Sequence, residues 1–176
     1  MDGSTATVLG TFIGALGGLS GGWLTVLGQG RQQRAEHARW RDEVRRDAYT
    51  TCLSASKQLS AAWWKMADIL ADDSSTPEQR QAGFVRAHDA WTEFSGAAAA
   101  VAVVGPRSVA DAADTFRQAL YEMDMIVLAW YEAVRAPSHD RVEDDLNARF
   151  VSAATAKRQP DKNFQMAARA ALNTET

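Results

Sequence analysis

Three histidines, two of them followed directly by an aspartate, are the side chains in this sequence best suited to metal chemistry. The dipeptides are His88-Asp89 and His139-Asp140, and His37 lies upstream of both. Imidazole and carboxylate groups together hold divalent metals, and a bound metal can activate a water molecule. These residue types raise the hypothesis of a metal-dependent hydrolase.

The dipeptides resemble part of the metal site of HD-type helical phosphohydrolases, which combine a histidine, a His-Asp pair and a later aspartate. Asp111 or Asp114 would be the later aspartate. The resemblance covers isolated residues only, because His37 falls in a charged stretch near the amino terminus and His139 in a predicted turn. Bringing both to His88 would disrupt the helix packing predicted below, so the sequence favours surface or capping roles.

No other catalytic or cofactor signature is present. No glutamate has a histidine three positions later, as the usual carboxylate-bridged metal site of a four-helix bundle requires. The glycines lie in an apolar run rather than between a strand and a helix, so they predict no phosphate-binding loop. Cys52 is the single cysteine and excludes an internal disulfide. The sequence therefore predicts a non-enzymatic protein without a cofactor or metal.

Length and composition limit the architecture. A chain of 176 residues has room for one domain of ordinary size plus a separate segment. With 46% hydrophobic and 23% charged residues, the composition is that of a folded protein. The formal net charge of -3 gives no reason to expect nucleic acid as a partner.

An uncharged segment near the amino terminus predicts a membrane helix. The 20 residues at positions 8–27 carry no charge, and at about 1.5 Å per residue they match a hydrocarbon core of roughly 30 Å. A basic region before the segment and a small-residue cleavage site after it are both missing, so we expect a retained anchor. Arginines crowd its carboxyl-terminal flank: Arg31, Arg34, Arg39, Arg41, Arg45 and Arg46. The positive-inside rule then predicts a single-pass protein of the cell membrane with a short external amino terminus and a cytoplasmic carboxyl-terminal domain.

A row of glycines within this segment predicts helix association. Gly10, Gly14, Gly18 and Gly22 recur at a strict spacing of four. Gly17 and Gly21 widen the same face, and a bulky stripe lies roughly opposite: Leu9, Phe12, Leu16, Leu19, Trp23 and Val26. Rows of small residues let two membrane helices approach closely, which favours a homo-oligomer or pairing with another membrane subunit. The alternative is that glycine is simply common in membrane helices.

Residues 31–46 form a basic juxtamembrane stalk. Arg31 and Arg34 lie nearest the predicted membrane surface and would attract anionic lipid head groups, each contributing about 1 kcal/mol. Acidic residues interleave with the arginines, so a solvated stalk that only sets topology is an equal alternative.

Apolar residues alternate at spacings of three and four through the rest of the chain, which predicts packed helices. The first stripe is Tyr49, Cys52, Ser56, Leu59, Trp63, Met66 and Leu70; the second is Phe84, Ala87, Trp91, Phe94, Ala98 and Val101. The third is Val109, Ala113, Phe116, Leu120, Met123, Val127, Trp130 and Val134; the fourth is Val142, Leu146, Phe150 and Ala153. Thr76 with Pro77 predicts the start of the second helix, and Gly105-Pro106 its end.

The predicted fold is all-α, with an amino-terminal transmembrane helix continuing into an antiparallel up-down bundle of about four helices. The predicted segments are the tail and membrane helix at 1–30, the stalk at 31–46, the bundle at 47–159 and a carboxyl-terminal tail, at most a short helix, at 160–176.

The tryptophans divide into two groups. Trp63, Trp91 and Trp130 fall on the apolar stripes and are predicted to lie in the core. Trp40 and Trp64 fall outside the stripes, so they are candidates for an exposed surface that binds a cytoplasmic partner protein.

Two resemblances concern architecture. The run Arg45-Arg46-Asp47-Ala48-Tyr49 with Leu53, after an apolar segment and an arginine-rich stalk, resembles a pattern in single-pass membrane proteins of high-GC actinobacteria, and implies no activity. A glycine-zipper helix ahead of a helical bundle is also similar to the layout of HeLo-type cell-death domains, whose helix permeabilises membranes. We therefore expect an association or scaffold module, with a pore-forming effector as the alternative.

Overall fold

The computed structural model describes the backbone of residues 4–135 and 142–173, and the side chains of residues 36–135 and 145–172. The described helices are α1 (Ser4–Leu70), α2 (Pro77–Val104), α3 (Arg107–Arg135), α4 (Val142–Ala156) and α5 (Arg158–Asn173). The chain divides into two compact units, Met1–Glu43 and Val44–Thr176, and α1 contributes residues to both. The prediction of an all-α protein is confirmed.

The ends of α2 form as their sequence predicts. The Thr76 hydroxyl accepts a hydrogen bond from the Gln79 amide at 3.3 Å, and the Gln79 side chain accepts one from the Thr76 amide at 2.7 Å. This reciprocal capping box satisfies two amide groups, and Pro77 follows at the first helical position. At the other end the Gly105 amide donates to the Val101 carbonyl at 2.9 Å before Pro106 ends the helix.

The predicted apolar stripes form the core of the second unit. All eight stripe residues of α3 and all seven of α1 are buried. In α2, Phe84 and Trp91 are only half-buried, and the other four stripe residues are buried. Helix α3 packs against α2, α4 and α5, so burial of its stripe depends on all three.

Contacts between aromatic rings show the relative orientation of α2 and α3. Phe94 packs edge-on against Phe116 with ring centroids 5.8 Å apart, and Phe84 stacks on Tyr131 at 4.6 Å. The earlier α2 residue, Phe84, contacts the later α3 residue, Tyr131, and the later one, Phe94, contacts the earlier one, Phe116. Helices α2 and α3 are therefore antiparallel. The short α2–α3 connection agrees with this arrangement.

Two helices, α4 and α5, together pack where the fourth helix of the bundle is expected. The sequence predicts one helix to about Gln159, followed by a tail with at most a short helix. Helix α4 ends at Ala156 because Pro160 has no N–H to donate to the Ala156 carbonyl, four residues earlier. Proline is tolerated in the first turn of a helix, so α5 begins at Arg158 and passes through it. Phe164 of α5 is fully buried, so the core extends past residue 159.

No helix is long and apolar enough to cross a membrane among the residues that the structure describes. The predicted span at residues 8–27, including the glycine row, lies outside the residues whose side chains are described.

Two glycines of α2 provide a matched test of the packing. A Cβ at Gly83 would lie 2.8 Å from Met66 Sδ and 3.1 Å from Ile69 Cδ1, whereas a Cβ at Gly96 would meet nothing within 4 Å. We expect Gly83→Leu to lower the free energy of unfolding by about 1 to 3 kcal/mol through overpacking. Gly96→Leu should raise it by up to about 1 kcal/mol through helix propensity. Urea unfolding of the full chain, followed by tryptophan fluorescence, measures both, and shifts of the same sign would contradict the packing described.

Candidate functional site: a polar layer at the bend of the fourth helix

Trp64 is exposed, as its position outside the apolar stripes predicts. It is 45% exposed and packs edge-on against Phe150 of α4, with ring centroids 4.9 Å apart. Together with Val151, which is also 45% exposed, it lines a groove of about 330 Å³ between α1 and the α4–α5 bend. Lys157, Arg158 and Asp161 line the same groove, so an apolar wall lies beside two basic residues and one acidic residue.

A chain of hydrogen bonds runs from this bend into the bundle. The Lys157 amine donates to the Ser60 hydroxyl at 2.5 Å, and the Ser60 hydroxyl donates to the Ser56 carbonyl at 2.8 Å. Ser56 is buried, and its own hydroxyl donates to the Leu53 carbonyl at 2.8 Å. We call Cys52, Ser56, Ser60, Lys157 and Asp161 the polar layer.

Burial shifts the acid–base properties of this layer. Desolvation lowers the pKa of the Lys157 amine, and the Asp161 carboxylate offsets part of that effect. Burial, followed by repulsion from Asp161, raises the pKa of the Cys52 thiol to about 11. The thiol is therefore a core residue with little thiolate character, as its place on the α1 stripe predicts.

Ser60 is not set up as a serine nucleophile. A base that activates a serine must accept its hydroxyl proton, but the Ser60 proton is directed to the Ser56 carbonyl, and Lys157 is the donor in their contact. The arrangement instead holds the lysine amine in a fixed position against a neutral acceptor.

The sequence predictions do not include Lys157 as a candidate site residue, although its spacing from the α4 stripe indicates a position at the edge of the core. The α4 stripe runs Leu146, Phe150, Ala153, and the next position at a spacing of four is Lys157. A lysine that continues an apolar stripe must place its amine at the edge of the core. Asp161, four residues later, interrupts the same stripe before Phe164 resumes it.

A second half-buried charge lies between α1 and α3. The Trp63 indole N–H donates to Asp124 Oδ1 at 3.3 Å, and the Trp63 ring stacks on Trp91 at 6.2 Å. Desolvation raises the pKa of the Asp124 carboxyl, while the Trp63 hydrogen bond and then the charge of His88 lower it.

The remaining predicted residues do not converge on one site. Trp40 is 63% exposed in the first unit, and His37 and His88 are exposed. His139 lies outside the described residues, as do the side chains of Arg31 and Arg34 and the surroundings of Gly10, Gly14, Gly17, Gly18, Gly21 and Gly22. Within the described part of the chain, no group of three His, Cys, Asp or Glu side chains is placed to hold a metal ion.

Comparison with known proteins gives no assignment: no family model, curated protein or solved structure matches the chain.

Asp124 provides a test of the buried-charge analysis. Asp124→Asn keeps an oxygen for Trp63 and removes the desolvated charge, so we expect a higher free energy of unfolding than wild type at pH 7. A carboxyl whose pKa is raised in the folded state stabilises the fold at low pH, and this contribution is lost as pH rises through the raised pKa. The difference in free energy of unfolding between Asp124→Asn and wild type should therefore grow as pH rises through the raised pKa of Asp124, and then level off. Urea unfolding of both chains between pH 4 and pH 8, roughly one unit apart, measures the difference.

Asp124→Ala is the matched variant. It also removes the charge, but it leaves the Trp63 indole N–H without its acceptor, which costs about 1 kcal/mol. We expect it to be less stable than Asp124→Asn at every pH. An Asp124→Asn variant that is less stable than wild type at pH 7 would mean that the ionised carboxylate stabilises the bundle.

Proposed function

We propose that this chain is a non-enzymatic single-pass membrane protein that associates through its glycine-row helix and presents a cytoplasmic helical bundle as an interaction module. The observation that carries the proposal is the glycine row at residues 10–22, set in 20 uncharged residues and followed by an arginine-rich flank. Six glycines in a helix are unfavourable in water, so close helix contact is the reason we assign to them.

The helical continuity of α1 supports this proposal. Residues 8–27 and the stalk at 31–46 both fall within α1, which begins at Ser4 and ends at Leu70. The predicted association segment and the predicted stalk are therefore both helical.

The bundle supports an interaction role through its exposed aromatic side chain. Trp64 lies at the surface beside Val151 although the adjacent core is well filled, with Trp63 and Phe150 fully buried. Exposed tryptophan beside basic residues is typical of protein contact sites, where large aromatic side chains provide much of the binding energy. We assign the Trp64 groove as the surface for a cytoplasmic protein partner. Trp40, in the first unit, remains a separate candidate contact.

Glycine substitution tests the association directly. In the full chain reconstituted in detergent micelles, Gly14→Leu together with Gly18→Leu places bulk where two backbones would meet. We expect association to weaken by roughly tenfold or more, which corresponds to about 1.4 kcal/mol. Analytical ultracentrifugation at several protein-to-detergent ratios measures the change.

The matched control adds bulk to the opposite stripe through Leu16→Phe together with Leu19→Phe, and it should retain the oligomer. An unchanged oligomer in the glycine variant would refute association through this face. Dye release from liposomes that carry the full chain addresses the alternative: leakage that the glycine substitutions abolish would favour a pore-forming effector over a scaffold.

A further inference from the structure

The Lys157 amine lies in surroundings that differ from those of the other lysines. Lys57, Lys65 and Lys162 are exposed, whereas Lys157 is half-buried and hydrogen-bonded to the neutral Ser60 hydroxyl. Among the described side chains, no carboxylate forms an ion pair with Lys157 within 4.0 Å. Desolvation at this half-buried position lowers the pKa of the amine more than the Asp161 charge raises it, so a larger fraction of Lys157 than of a solvated lysine is neutral and nucleophilic.

Space for an added group is present on both sides of this lysine. The Trp64 groove lies on one side, and a second groove of about 440 Å³ lies on the other, between α3 and the α4–α5 bend. Its apolar lining consists mainly of small residues: Ala119, Ala153, Ala156 and Pro160. Each groove has room for a short acyl chain attached to the lysine.

An acyl group also suits the electrostatics of the site. Conversion of the amine to an amide removes the charge whose desolvation is unfavourable at this position. The amide N–H can still donate to the Ser60 hydroxyl, and the acyl carbons can pack against the alanines. The modified side chain is therefore better matched to its surroundings than the ammonium form.

We propose that Lys157 is an acyl-acceptor site, at which Nζ takes an acyl group from a small thioester. The Nζ lone pair attacks the thioester carbonyl carbon, a C–N bond forms and the C–S bond breaks. The thiolate leaves and takes up a proton, while the nitrogen loses one to solvent. The products are an amide and a free thiol, and no oxidant or reductant is needed. This proposal is independent of the membrane assignment.

The four lysines of one chain allow an internal comparison. The full-length protein is incubated with S-acetyl-N-acetylcysteamine at pH 7.5, and acetylation at each lysine is followed by peptide mass spectrometry after complete proteolysis. We expect Lys157 to be acetylated at least roughly threefold faster than Lys57, Lys65 and Lys162, because a larger fraction of its amine is neutral. In urea at concentrations that unfold the chain, this preference should disappear. Equal or slower acetylation of Lys157 in the folded protein would overturn the proposal.

The Asp161→Asn variant tests whether the fast acetylation of Lys157 comes from the charges around its amine or only from its exposure to the reagent. The Asp161 carboxylate favours the charged form of Lys157, so its removal should speed acetylation at Lys157 and leave Lys57 and Lys65 unchanged. Asp145→Asn, at an exposed carboxylate of α4 that pairs with Arg149 at 3.8 Å, is the matched control and should have no effect. A slower reaction or no change at Lys157 in Asp161→Asn would also overturn the proposal.

Discussion

The second unit depends on the burial of one apolar stripe, the eight residues of α3 from Val109 to Val134. At about 25 cal/mol per Å² of apolar surface, a stripe of this length is a major source of folding free energy. Since α2, α4 and α5 all pack on α3, each is positioned by the requirement to cover part of it. Phe94 and Phe164 both pack against Phe116, with ring centroids 5.8 and 6.0 Å away, the first edge-on and the second stacked.

The polar layer is the part of this core in which hydroxyl, amine and carboxylate groups replace apolar side chains. Pro160 separates α4 from α5. Lys157 lies between the two helices, and its amine donates a hydrogen bond to Ser60 of α1. The short apolar side chains near the bend leave grooves on both sides of the lysine. The backbone hydrogen bond that Pro160 cannot donate to Ala156 is thus missing at the same bend where the two grooves and the half-buried Lys157 amine lie. A bundle with alanine in place of Pro160 would have no such reason to divide there.

Much of this arrangement was predictable from sequence, because it follows local rules. The α1 and α3 stripes, the Thr76 cap and the Gly105 stop depend on spacing and on capping chemistry, and each forms as predicted. Pro160 predicts the end of a helix from sequence, but proline is compatible with both a helix end and a first turn. The pairing of Lys157 with Ser60 joins residues 97 positions apart, and the Trp63–Asp124 bond joins residues 61 apart. Contacts of that separation are set by tertiary packing, so periodicity alone did not reveal them.

The proposed function requires that the helix before the bundle crosses a membrane and leaves the bundle in the cytoplasm. Alkaline extraction of one membrane sample tests whether the chain is integral to the membrane. Protease accessibility in separate samples of sealed inverted vesicles and intact spheroplasts tests on which side the bundle lies. We expect the chain to stay with the membrane, and protease to degrade the bundle in inverted vesicles but leave it intact in spheroplasts. Release of the chain into the soluble fraction, or degradation of the bundle in spheroplasts, would contradict it.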